Sequence, residues 1–143
     1  MEDLLSDVYT EPQLASIGSR VGAALIDFVS IVLIFYGFAM LWGERTESGG
    51  WEIVGAPAFL FFGTCFLLMP VQEGISGKTI GKRIMGIQVK LKNGHEPGVG
   101  LSIARHLFDL VDCFLLIGII VAVSNRYRQR VGDLVAQTIV VRE

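Results

Sequence analysis

Residues 21–42 ("VGAALIDFVSIVLIFYGFAMLW") run for twenty-two positions with a single charged side chain and no proline. At about 1.5 Å per residue such a run crosses the roughly 30 Å of bilayer hydrocarbon as a helix. Trp42 ends it where an interfacial aromatic belongs. Residues 53–71 ("IVGAPAFLFFGTCFLLMPV") carry no charge at all; Trp51 stands at one end, and Pro70, Gln72 and Glu73 at the other. These are two spans. Composition agrees: of 143 residues, 52% are apolar and 18% charged, against about a quarter charged in an average soluble domain. The mean hydropathy is +0.56. The expected fold class is an all-α membrane protein with a minor β element, one domain over residues 1–143.

A net charge of -2 gives no reason to expect a nucleic-acid partner. The N-terminal tail, residues 1–14, holds Glu2, Asp3, Asp7 and Glu11, and its apolar stretches are too short for a cleavable leader. Cys65 and Cys113 both lie in apolar runs. They read as small buried residues rather than a disulfide pair or a zinc site.

Residues 74–97 change character. Lys78, Lys82, Arg83, Lys90 and Lys92 fall between glycines, which places this segment in the cytoplasm by the positive-inside rule. Within it "TIGKRIMG" suits a short amphipathic helix. The stretch 86–92 alternates Ile87, Val89 and Leu91 with Gln88, Lys90 and Lys92 and reads as a strand. Residues 137–142 are β-branched and are its natural partner, since a lone strand is not stable.

Between those strands lies a third apolar segment, residues 101–124, followed by the C-terminal segment 125–143. Arg126, Arg128 and Arg130 come at once after it, so a simple crossing would place them outside and separate the two strands. A re-entrant hairpin or kinked span is expected instead. "LSIARHLFDLVD" forms an amphipathic helix at the interface, and "CFLLIGIIVAVS", about 18 Å of helix, is too short to cross.

The remaining polar residues need partners. Arg20 and Asp27, seven apart, share a helix face about 10.5 Å apart along the axis. Ser102, Arg105, His106, Asp109 and Asp112 fall within an arc of about 120°; that stripe is either a partner for Asp27 or the solvated face of an interfacial helix. Arg105 and Asp112 repeat the seven-residue spacing. "GKT" at 77–79 lacks the first glycine and the preceding strand of a P-loop. "HLFDLVD" spaces its ligands along a stripe and has no second histidine, so no metal is expected. Gly18 and Gly22 in "GSRVG" permit close helix contact.

"RVGAALID", "GKTIGKRIMGIQV" and "RQRVGDLVAQTIVV" together resemble the RDD family of small bacterial membrane proteins, over nearly the whole chain beyond residue 14. The resemblance implies the bacterial cytoplasmic (inner) membrane, with 78–92 and 126–130 on the cytoplasmic side. It carries the family's arginine and two aspartates onto Arg20, Asp27 and Asp133. Gln137 departs from the family's usual glycine. On this reading Asp133 returns to the mouth of the first span to pair with Arg20 or a trailing arginine. The expected site is a charge-compensated cluster of Arg20, Asp27 and Asp133 beside Asp112.

Three functional readings follow, two of them for this cluster. The first is transport of a proton, cation or small ligand, which Asp27 would bind reversibly. Two spans cannot enclose a pathway, so this role needs a homo-oligomer or a larger membrane partner. The second is a non-enzymatic accessory or assembly module in which the cluster is structural. The third is recognition of anionic lipid by Lys78, Lys82 and Arg83, each worth about 1 kcal/mol near an anionic leaflet. No nucleophile, base and orienting acid stand at catalytic spacing, and no cofactor motif is present; the bilayer itself is the expected partner.

Overall fold

The computed structural model describes residues 13–115 and 117–143; within 109–119 it gives the course of the helices but not the side chains. The first helix, α1 (Ile17–Trp42), starts where the Ser16 hydroxyl accepts from the Ser19 amide at 3.0 Å. That cap begins the helix four residues before the apolar run. Its 26 residues make about 39 Å, longer than the hydrocarbon requires. A two-residue pair follows, β1 (Glu44–Arg45) against β2 (Trp51–Glu52). The second long helix, α2 (Ala56–Ser76), has Pro57 in its first turn and closes on Gly77, whose φ of 66° suits only glycine comfortably. It runs past residue 71, where the apolar composition ends, because Glu73 and Gly74 are buried against the next layer.

Among the described residues α1 and α2 are the two helices long and apolar enough to cross a membrane. Both expose that apolar surface: Leu33 is 66%, Met40 78% and Phe59 81% accessible. A soluble protein would bury it. The helices meet edge-to-face through Phe35 and Phe38 on Phe61, with ring centroids 5.6 and 5.7 Å apart.

Among the described residues six further elements follow β1, β2 and the second long helix. They are α3 (Ile80–Ile84), β3 (Ile87–Leu91), α4 (Gly98–Leu115), α5 (Ile117–Ser124), α6 (Val131–Val135) and β4 (Thr138–Arg142). Strands β3 and β4 pair antiparallel with Val89 opposite Val140. On the other side of β4 the chain just ahead of α1 is engaged: Ala15 donates its amide to Val140 at 2.9 Å, and Arg142 donates to the Gln13 carbonyl at 2.7 Å. Ala15, Ala23, Ile87, Val89 and Val140 form the core, with Met85 packed on it. This small sheet therefore sits against the first turns of α1.

Residues 79–91 and 130–142 are built alike. Each holds a cap residue, a five-residue helix with glycine at its second position, a left-handed residue and a five-residue strand. The left-handed residues are Gly86 (φ 62°) and Gln137 (φ 52°), so the glycine that the resemblance leads one to expect at 137 would be unstrained there. Each helix glycine lies against a carbonyl of a longer helix, Gly81 on Ala23 and Gly132 on Arg105.

The third apolar segment is helical over α4 and α5, and α4 extends beyond residue 112, where the two arms were expected to divide. Its start is stacked on α2, with Gly74 against Val99. The chain after it returns to α4, with Gly132 against Arg105 and Phe108.

Candidate functional site: a chain of ion pairs beside a cavity

Position 27 shows how a carboxylate is accommodated in an apolar helix. Thr79 donates its hydroxyl to Asp27 Oδ2 at 2.6 Å, and Gly81 donates its amide to Oδ1 at 2.8 Å. Thr79 is also the cap of α3, accepting from the Lys82 amide at 3.3 Å. Asp27 thus ties α1 to the start of α3. Glycine at 81 is required, because any Cβ there would run into the Ala23 carbonyl and stand 3.0 Å from Asp27 Cγ.

The two third-position residues of the repeated short helices, Lys82 and Asp133, have opposite charge, and both enter one network. Lys82 donates to Glu73 Oε2. Arg105 donates through Nη1 to Glu73 Oε1 at 2.5 Å and through Nη2 to Asp133 Oδ1 at 2.6 Å. Arg20 donates through Nη1 to Asp133 Oδ2 at 3.1 Å, and the Arg130 amide donates to the same oxygen at 3.1 Å. The order Lys82, Glu73, Arg105, Asp133, Arg20 alternates in sign and links α3, α2, α4, α6 and α1. Glu73 is 0%, Asp133 2% and Arg20 5% accessible. Burying charges costs several kcal/mol per ion unless each is answered; here three cations answer two carboxylates.

A cavity of about 390 Å³ adjoins this chain, within the range of small-ligand sites. Arg20, Ala23, Ala24, Asp27, Phe28 and Ile31 supply one wall, and their spacing of three and four residues is one stripe of a helix. Lys82, Arg105, His106, Arg130 and Asp133 form the polar side, and Met69 adds to the apolar side. His106 Nδ1 lies 2.8 Å from the Ser102 carbonyl and 4.0 Å from Glu73 Oε1.

Among the expected site residues, Arg20 and Asp133 are in direct contact. Asp27 lines the same cavity, but among the described residues its hydrogen bonds go to α3 rather than to Arg20. The side chain of Asp112, like those of Asp109 and Cys113, lies outside the described residues. Of the three basic residues expected at lipid headgroups, Lys82 turns inward to Glu73. Lys78 pairs with Glu143, and exposed Arg83 donates to Ser76 Oγ at 3.2 Å. Of the stripe on α4, Ser102 and Arg105 face protein, at 0% and 7% accessible.

Glu73 and Arg105 were not singled out from sequence as site residues. Glu73 reads there as the polar flank of a span, and Arg105 as one member of a stripe. The available signal was that Met69 and Glu73 share a helix face only if the helix continues to Ser76. Among the described residues no cluster of metal ligands occurs.

The family model described as "RDD family" matches residues 14–137. No curated protein and no solved structure is matched by the chain.

Proposed function

The chain belongs to the RDD family, and from that premise we propose that it is a non-enzymatic, multi-pass protein of the bacterial cytoplasmic membrane that binds a small anionic ligand beside Arg20 and carries it across the bilayer. The ion pairs are the clamp that builds the site. The observation that carries this reading is the Arg20 guanidinium on the cavity wall. Among the described lining residues Arg20, Lys82, Arg105 and Arg130 stand with Asp27 and Asp133; Lys82 and Arg105 are answered by Glu73, and both aspartates already accept from protein donors. Arg20 keeps two donors, Nε and Nη2, without a partner among the described residues, and a guanidinium at a low-dielectric recess favours an anion. A bare cation would have to compete with Arg20 and Arg105 for Asp133, or with α3 for Asp27. The basic segments 78–92 and 126–130 face the cytoplasm on this reading, and a homo-oligomer or a larger membrane partner completes the pathway.

The accessory reading, in which the cluster is structural alone, is favoured by one observation: both oxygens of Asp27 are used to hold α3. Flux into phosphatidylcholine vesicles separates the two. The wild type is expected to move inorganic phosphate or glycerol 3-phosphate but neither sodium nor protons. Asp27→Asn is expected to fold in lower yield and keep the anion flux per folded molecule. Sodium or proton flux abolished by Asp27→Asn at normal abundance would assign a cation carrier instead. No flux of any probe would leave the accessory reading standing.

A further inference from the structure

Arg20 is 5% accessible and lines the cavity, yet only its Nη1 is engaged, by Asp133. Its Nε and Nη2 are buried and have no hydrogen-bond partner among the described residues. A buried unpaired donor costs free energy. Two on one charged group call for an acceptor, which meets them when the Arg20 side chain turns toward the cavity, since neither atom has exposed surface as it stands. Nε and Nη2 share one edge of the planar guanidinium, the edge that grips a carboxylate or phosphate with two parallel hydrogen bonds.

The cavity is also polarised along α1. Arg20 stands near the start of the helix, and Ala24, Phe28 and Ile31 continue the same stripe toward its middle; Arg20 and Ile31 are about 16 Å apart along the axis. Arg20 is at the rim of the span; deeper, Asp27 gives both carboxylate oxygens to Thr79 and Gly81, and Ala24, Phe28 and Ile31 leave apolar surface beside it, the polarity of a lipid in its own leaflet.

Building on the cavity as a ligand site, we infer that it takes a phosphate group held by the Nε/Nη2 edge of Arg20, and that the phosphate belongs to a lipid whose acyl chain lies along Ala24, Phe28 and Ile31. Lys82, Arg105 and Arg130 add positive potential around the phosphate while keeping their protein contacts. This lipid site is the cavity, not the exposed face that carries Arg83.

Native mass spectrometry of the full chain in micelles tests it with three probes: dioleoyl phosphatidylglycerol, dioleoylglycerol and inorganic phosphate. The wild type should bind one phosphatidylglycerol saturably and no dioleoylglycerol, with inorganic phosphate competing only at far higher concentration. Arg20→Lys keeps a cation for Asp133 but loses the two-pronged edge. Ala24→Phe fills the apolar wall without touching an ion pair. Each should weaken phosphatidylglycerol binding at least tenfold. If inorganic phosphate binds as tightly as the lipid and Ala24→Phe has no effect, the ligand is the free ion and the lipid assignment is overturned. Wild-type binding by Arg20→Lys, or no saturable binding of either phosphate probe, overturns the whole inference. Phosphatidylglycerol binding without flux removes carriage across the bilayer and leaves this site intact; cation flux without phosphate binding does the reverse.

Discussion

Asp27 and Gly81 depend on each other. The carboxylate at 27 is satisfied by a threonine hydroxyl and a backbone amide, and α3 comes close enough to offer them only because residue 81 lacks a side chain. Gly81→Ala should therefore destabilise the protein by about 1 to 3 kcal/mol through overpacking against the Ala23 carbonyl, a larger cost than alanine's helix propensity returns. Unfolding in micelles measures it, and an unchanged or raised stability would deny the close approach. The sequence makes Arg20, Asp27 and Asp133 stand out by charge in an apolar setting. It does not reveal Asp27's partners, because a backbone amide carries no residue-type signature and Thr79 belongs to a segment fifty-two positions away. Glu73 was harder still, since an acid just beyond an apolar run is what any solvated helix end carries.

At the level of elements, the two spans, the short helix at 80–84 and the pairing of 86–92 with 137–142 were legible from periodicity and charge. So was the difficulty that 101–124 poses for a simple crossing. What periodicity could not give is how far the helices run. Helix α2 reaches Ser76 because Glu73 and Gly74 find protein partners, and α1 starts at Ile17 because of a serine cap. The packing of Gly74 on Val99 and of Gly132 on Arg105 brings the beginning and the sequel of α4–α5 to the same end of the molecule. Cysteines placed at Asn93 and Asn125, in a background without Cys65 and Cys113, are accordingly expected to react with an impermeant maleimide from the same side of the membrane, the cytoplasmic one. Labelling of the two from opposite sides would mean that the segment crosses.

Seen whole, the protein has two unlike ends. Toward one end of the α1–α2 pair the helices hold together by aromatic packing and turn apolar side chains outward. At the other end residues 13–15 lie along β4, and Asp133 of α6 pairs with Arg20 in the first turns of α1. Five charged side chains from five helices close that end. Such a clamp is costly to assemble in an apolar setting, and breaking a buried pair from one side typically costs about 3 to 5 kcal/mol. Its members should consequently be strongly coupled. The most direct test is a double-mutant cycle on Arg20→Met and Asp133→Asn, followed by reversible unfolding in micelles. Each single change should be strongly destabilising, and the double should fall short of their sum by about 0.5 to 3 kcal/mol. Additivity within about 0.5 kcal/mol would mean that α1 and α6 are not joined through this pair.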